Sequence, residues 1–171
     1  MKRDPKKTID ELRMLKNALI DSSSLIYARR LRCLKRLSAL ITLETLLPMQ
    51  AEVTFDLPGI HVIPFTGTTG ADAAFIQYAR SHQMPVISED KDILNAARSS
   101  ALPHFNMLMM LELLFLRNRF NENAYKQIHD ELLSFAWYSE EVREYGEKVH
   151  ALLLEDDKTT EGHDEDNRHE K

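Results

Sequence analysis

Ala18-Leu19-Ile20-Asp21 is a short apolar run that ends in a carboxylate. Runs of this length suit parallel strands buried on both faces. His61-Val62-Ile63-Pro64-Phe65 and Pro85-Val86-Ile87-Ser88 follow the same design, and Leu40-Ile41-Thr42-Leu43 is a fourth, with flanks that suit a helix equally well. Helical patterns lie between these runs. Leu25 to Leu37 carries leucines and arginines at helical spacing. Ala71 to His82 has Phe75, Ile76, Tyr78 and Ala79 on one stripe, and Lys91 to Arg98 is a shorter helix. Strands alternating with helices predict an α/β fold, a three-layer α/β/α sandwich around a parallel sheet.

The flanks fit that reading. Thr8-Ile9-Asp10-Glu11 has capping-box spacing and predicts a short opening helix. Met107 to Leu116 is apolar nearly all round and predicts a buried helix. Asn121 to Phe135 and Ser139 to Leu154 read as two amphipathic helices joined by the aromatic segment Ala136-Trp137-Tyr138. The expected organisation is an α/β unit over residues 1–119, a helical appendage over 120–154, and a disordered acidic tail over 155–171. That tail holds eight acids against three bases, which is the whole of the net charge of −5. It contains no large apolar side chain to bury.

Composition narrows the function. Glycine and proline together number 11 of 171 residues, which disfavours a turn-rich all-β fold. A single cysteine, Cys33, excludes an intrachain disulfide or a cysteine-built zinc cluster, and it reads as a packing residue. The seven histidines show no HExxH-type spacing, so a zinc hydrolase is disfavoured. Ser22, Ser23 and Ser24 lack a Gly-x-Ser-x-Gly elbow, and Gly67-Thr68-Thr69-Gly70 is not a phosphate-binding loop of the Gly-Lys-Ser/Thr type. No apolar run reaches the ~18–20 residues of a membrane span, and no apolar signal core follows the charged N-terminus. The expected setting is cytoplasmic.

The acids fall where chemistry is done. Asp21 and Asp90 each follow a predicted strand, and Asp92 is two residues further on. Asp72 precedes Phe75 and Ile76 by three and four residues, which predicts that it lies on the buried stripe. Ligands of open parallel sheets bind beyond the carboxyl ends of the strands. Carboxylates gathered there repel one another by about 4 kcal/mol per pair at 4 Å and an effective dielectric near 20. A hard divalent cation removes that repulsion, and oxygen-only ligation suits Mg²⁺ or Mn²⁺. Such a site activates water and clamps a phosphodiester. Each aspartate alone equally suits a helix cap.

These residues resemble a known family. Asp21-Ser22-Ser23-Ser24-Leu25-Ile26-Tyr27 is similar to the opening motif of PIN domains, Gly70-Ala71-Asp72-Ala73-Ala74-Phe75-Ile76 to their central motif, and Val86-Ile87-Ser88-Glu89-Asp90-Lys91-Asp92 to their closing one. The match runs in order across residues 17–116. The resemblance implies an α/β/α sandwich and a Mg²⁺- or Mn²⁺-dependent ribonuclease. It implies that Asp21, Asp72 and Asp90 are metal-site acids, with Asp92 accessory and Ser22 and Ser88 orienting them. The family places a glutamate on the helix after the second strand, and either Glu52 or Glu44 fills that role here. The family's proline-to-glutamate spacing, counted from Pro48, favours Glu52.

Arg29, Arg30, Arg32, Lys35 and Arg36 put five bases on one predicted helix. They suit RNA phosphates or a solvated face, and no aromatic residue interleaves with them in sequence. The expected activity is metal-dependent hydrolysis of RNA. The alternatives are an inactive PIN-like scaffold that binds RNA or protein, a toxin-type ribonuclease neutralised by a small partner, and a phosphotransfer enzyme with Asp21 as nucleophile. A homodimer and a protein partner on the C-terminal helices are further expectations.

Overall fold

The structure, a computed structural model, describes residues 3–65, 67 and 69–165, with side chains described as far as Asp156. Five strands form one all-parallel sheet: β1 (Asn17–Ile20), β2 (Thr42–Leu46), β3 (Ile60–Ile63), β4 (Val86–Ile87) and β5 (His104–Phe105), in the order β3-β2-β1-β4-β5. Nine helices are described: α1 (Pro5–Met14), α2 (Ser22–Arg30), α3 (Leu34–Leu40), α4 (Leu47–Gln50), α5 (Ala71–His82), α6 (Lys91–Ser99), α7 (Met107–Leu116), α8 (Glu122–Phe135) and α9 (Glu140–Glu165).

The period-two alternation of the strands sorts the core onto two faces. Ala18 and Ile20 of β1 join Leu43, Ile87 and Phe105 beneath α1, α2, α3, α7, α8 and α9. Leu19 points the other way, with Leu46 and Val86, beneath α4, α5 and α6. The chain is therefore an α/β protein with helices on both faces of a central parallel sheet. Leu132, Val149 and Leu153 of the last two helices belong to the first cluster, so the C-terminal helices complete the main core. At Gly146 of α9, an added Cβ would lie 2.6 Å from Leu108, so the glycine sets the close approach of α9 to α7. Among the described residues, no helix is long and apolar enough to cross a membrane.

Several boundaries differ from the sequence reading. The fourth apolar run splits: α3 ends at Leu40, and β2 begins at Thr42 and runs to Leu46. The opening helix starts four residues earlier than its capping box suggests. Asp4 is its cap, and Thr8 is buried inside the helix, 2.6 Å from the Tyr145 hydroxyl. The arginine-rich helix is two helices, broken at Leu31–Cys33, where Arg32 adopts φ +56°. Neither glycine nor proline marks that turn. Helix α9 continues to Glu165, into the stretch expected to be disordered, and residues 166–171 lie outside the described residues. Once nucleated on the buried Val149 and Leu153, helix adds one residue at a time at low cost.

The buried helix α7 carries one acid. Glu112 is fully buried, accepts hydrogen bonds from the Tyr125 hydroxyl of α8, and lies 2.9 Å from His150 Nδ1 of α9. The Tyr125 and His150 rings stack 3.9 Å apart. Buried polar groups persist only where paired, so this trio fixes how the three helices meet.

Candidate functional site

The strand order places a topological switch between β1 and β4. From β1 the chain builds outward through β2 and β3, then returns to the other side of β1 for β4 and β5. Crevices in open α/β sheets open at such a seam, beyond the carboxyl ends of the strands. Ile20 pairs with Ile87 in the last register of that seam, so the next residues, Asp21 and Ser88, meet there.

Asp21 is 3% exposed. Its Oδ1 accepts the Ser24 N–H at 2.7 Å, capping α2, and its Oδ2 accepts a hydrogen bond from the Ser88 hydroxyl. Ser88 Oγ in turn accepts the Asp90 N–H at 3.0 Å. Asp90 caps α6 through Oδ1, which accepts the N–H groups of Asp92 (2.7 Å) and Ile93 (3.1 Å). One residue beyond Asp21, the Ser22 hydroxyl donates to Glu52 Oε2. The loops after β1 and β4 and the segment after α4 are thereby tied together at one rim. The capping role of Asp21 and Asp90 is real, and in Asp90 it leaves Oδ2 with no hydrogen bond among the described residues.

The other acids divide. Asp72 lies on the exposed surface, not on the buried stripe of α5, which is Ala74, Phe75, Ile76 and Ala79. In the first turn of α5, Ala71 and Ala74 pack on the core, while Asp72 and Ala73 face a groove towards α6. Asp72, Asp90 and Asp92 line that groove, a cavity of about 540 Å³, together with Gln77 and Arg80. Glu44 lies inside β2, paired with Leu19 and His61, two residues short of the strand's end. Its half-buried carboxylate faces α5, where the Tyr78 hydroxyl is 3.5 Å away. Glu52 is the glutamate that the fold brings to the rim. It follows Pro48 as expected, but α4 stops at Gln50, so Glu52 sits in the turn beyond the helix rather than one turn into it.

Glu89 is a member that sequence reading missed. It lies between Ser88 and Asp90. Its Oε1 accepts the Met107 N–H at 2.6 Å, at the start of α7, and its Oε2 accepts the Tyr138 hydroxyl at 2.6 Å. Burial pushes the Glu89 carboxyl up to about 7. Its hydrogen bonds oppose that shift, and the nearby Asp21 charge adds to it. Burial likewise raises Asp21 above the usual carboxylate range, against the hydrogen bonds from Ser88 and Ser24.

The donors are all hard oxygens, which suits Mg²⁺ or Mn²⁺ chemically. Among the described residues, no three His, Cys, Asp or Glu side chains are already close enough to chelate an ion together. Asp21 is buried and held by two hydrogen bonds, whereas Asp72, Asp90 and Glu52 are exposed, Asp90 anchored through Oδ1 and Glu52 through Oε2. The chemistry of the donor set fits the ion, and no cage is preassembled among the described residues.

The five bases are all exposed, but the helix break separates them. Arg29 and Arg30 end α2, Arg32 is in the turn, and Lys35 and Arg36 are on α3. The fold supplies the aromatics that the local sequence lacks. Arg30 lies 3.8 Å over the Phe135 ring, Arg36 4.8 Å over Phe120, and Arg29 5.7 Å over Phe55. Cys33 is buried, and burial pushes its thiol up to about 12, so it packs and does not react.

No family model matches this chain, and no curated protein matches it either. The reading of the site therefore rests on its own geometry.

Proposed function

We propose that this chain is a PIN-like endoribonuclease that hydrolyses RNA phosphodiesters with the help of Mg²⁺ or Mn²⁺. The observation that carries the proposal is the Ser88–Asp21 hydrogen bond at the seam between β1 and β4. It joins two of the three motif acids through one hydroxyl, at the place where open parallel sheets bind ligands.

Asp21, Asp90 and Glu52 would hold the ion, with Asp72 and Asp92 lining the groove that Asp90 also borders. When bound, the ion supplies activation of water and neutralisation of the charge that develops on the phosphodiester. The chain's own residues do the positioning. Ser88 and the N-terminus of α2 fix Asp21. Ser22 aims Glu52, and Asp90 is set by its place at the start of α6. Arg29 and Arg30 offer charge for the RNA backbone.

A second reading is a scaffold of the same fold that binds without cutting. That among the described residues no three acids stand close enough to chelate an ion together favours it. One experiment separates the two: thermal melting with and without millimolar Mn²⁺, for wild type and Asp21→Asn, followed by cleavage of labelled RNA. A metal-dependent rise in melting temperature that Asp21→Asn loses, with cleavage, supports the enzyme. No shift and no cleavage in the wild type supports the scaffold.

A further inference from the structure

Trp137 stands in the open. It is 79% exposed, more than any other large apolar side chain among the described residues. The segment that carries it is nevertheless fixed. Ala136 before it is buried in the core, and the Tyr138 hydroxyl after it is bonded to Glu89. The ring is therefore held out by a pinned backbone. The Lys91 ammonium lies 5.3 Å from its centroid, and Lys91 directly follows Asp90. Two residues before Trp137, Phe135 carries the Arg30 guanidinium.

We infer that Trp137 is a stacking platform for an unpaired base of single-stranded RNA, with Lys91 holding the adjacent phosphate. This rests on the ribonuclease reading above and names how that site would take hold of its strand. A ring that is 79% exposed, with the Lys91 ammonium over it, matches a polymer that alternates π faces with negative charges. A partner offering only an apolar patch would have to cover Lys91 and Arg30 as well, and would gain nothing from them. Two links tie this segment to the carboxylate rim: the Tyr138 hydroxyl donates to Glu89, and Lys91 directly follows Asp90.

Trp137 is the only tryptophan in the chain, so its emission reports the contact directly in the full-length protein. The probe is a 12-nucleotide single-stranded RNA carrying a fluorescent label, titrated in EDTA so that binding is read without cleavage. Quenching of Trp137 should saturate together with the anisotropy of the RNA, and a duplex of the same sequence should not quench. Trp137→Ala should weaken binding by about 5- to 150-fold, the range expected for one stacked base. Trp137→Phe should retain most of the affinity, and Lys91→Ala should flatten the salt dependence by about one phosphate contact. The variants change exposed positions, and circular dichroism checks that they remain folded. RNA binding with unchanged Trp137 emission and equal affinity in Trp137→Ala overturns the platform and leaves the nuclease standing. Quenching without any cleavage under Mn²⁺ removes the nuclease and leaves the platform. No RNA binding at all overturns both.

Discussion

Ser88 and Asp21, 67 residues apart in sequence, share a hydrogen bond across the seam between β4 and β1, and the same serine oxygen accepts the Asp90 N–H. One hydroxyl thus ties the Asp21 carboxylate to the Asp90 backbone. Ser88→Ala should lower RNA cleavage by about 10- to 100-fold, the usual cost of losing a residue that orients a ligand. Asp21→Asn should abolish cleavage. Initial rates on labelled RNA decide the matter, and wild-type rates in Ser88→Ala would refute the link.

Asp21→Asn should also stabilise the protein in the absence of metal. Burial raises the carboxyl's pKa in the folded chain, so its charge is a burden there. Its melting temperature in EDTA should exceed that of wild type, and the order should reverse in millimolar Mn²⁺. A variant less stable than wild type under both conditions would contradict this.

Glu52→Gln should impair cleavage and Glu44→Gln should not. Only Glu52 reaches the rim, through Ser22, whereas Glu44 is held against Tyr78 in the middle of β2. Equal losses in the two variants would overturn the assignment.

Stability in EDTA should fall as pH rises. A carboxyl with a raised folded pKa binds a proton more tightly in the folded chain than in the unfolded one. Its contribution is therefore complete below the unfolded value and is lost as pH climbs through the folded one. For Glu89 that window runs from 4.5 to about 7. Asp21 acts in the same direction. Glu89→Gln should flatten the decline in melting temperature between pH 5 and pH 8, and identical slopes would remove Glu89 as its source.

His150→Ala should cost about 3 kcal/mol, because it leaves the buried Glu112 with one partner fewer. In a chain of this size that is roughly 6–12 °C in Tm. Replacing Glu112, Tyr125 and His150 together by Leu, Phe and Phe should recover most of it. Calorimetry on the two variants tests the pair.

The alternation of strands and helices was legible because each of β1, β3 and β4 shows as a short apolar run with a clear end. Strand β5 was not, since His104 and Phe105 are too few to make a pattern. The α2–α3 break was hidden because Arg32 takes a left-handed conformation with no glycine to announce it. Within the site, Asp21, Ser88 and Asp90 were visible because they end strands. Asp72 misled, because in the first turn of α5 the buried face is Ala71 and Ala74, and Asp72 turns with Ala73 towards the groove. Glu89 was invisible for a different reason. Its partner Tyr138 is 49 residues away, and only the folded chain brings them together.

The hydrogen bonds of Glu89 to Met107 and Tyr138 also bear on where this protein can be cut. A chain ending near residue 119 would look like a complete α/β unit on paper. It would leave the Glu89 carboxylate with one tether and Glu112 with none, and it would expose the face of the core that Leu132, Val149 and Leu153 cover. The C-terminal helices are therefore part of what keeps the carboxylate edge in register, and trimming them would cost both solubility and the site.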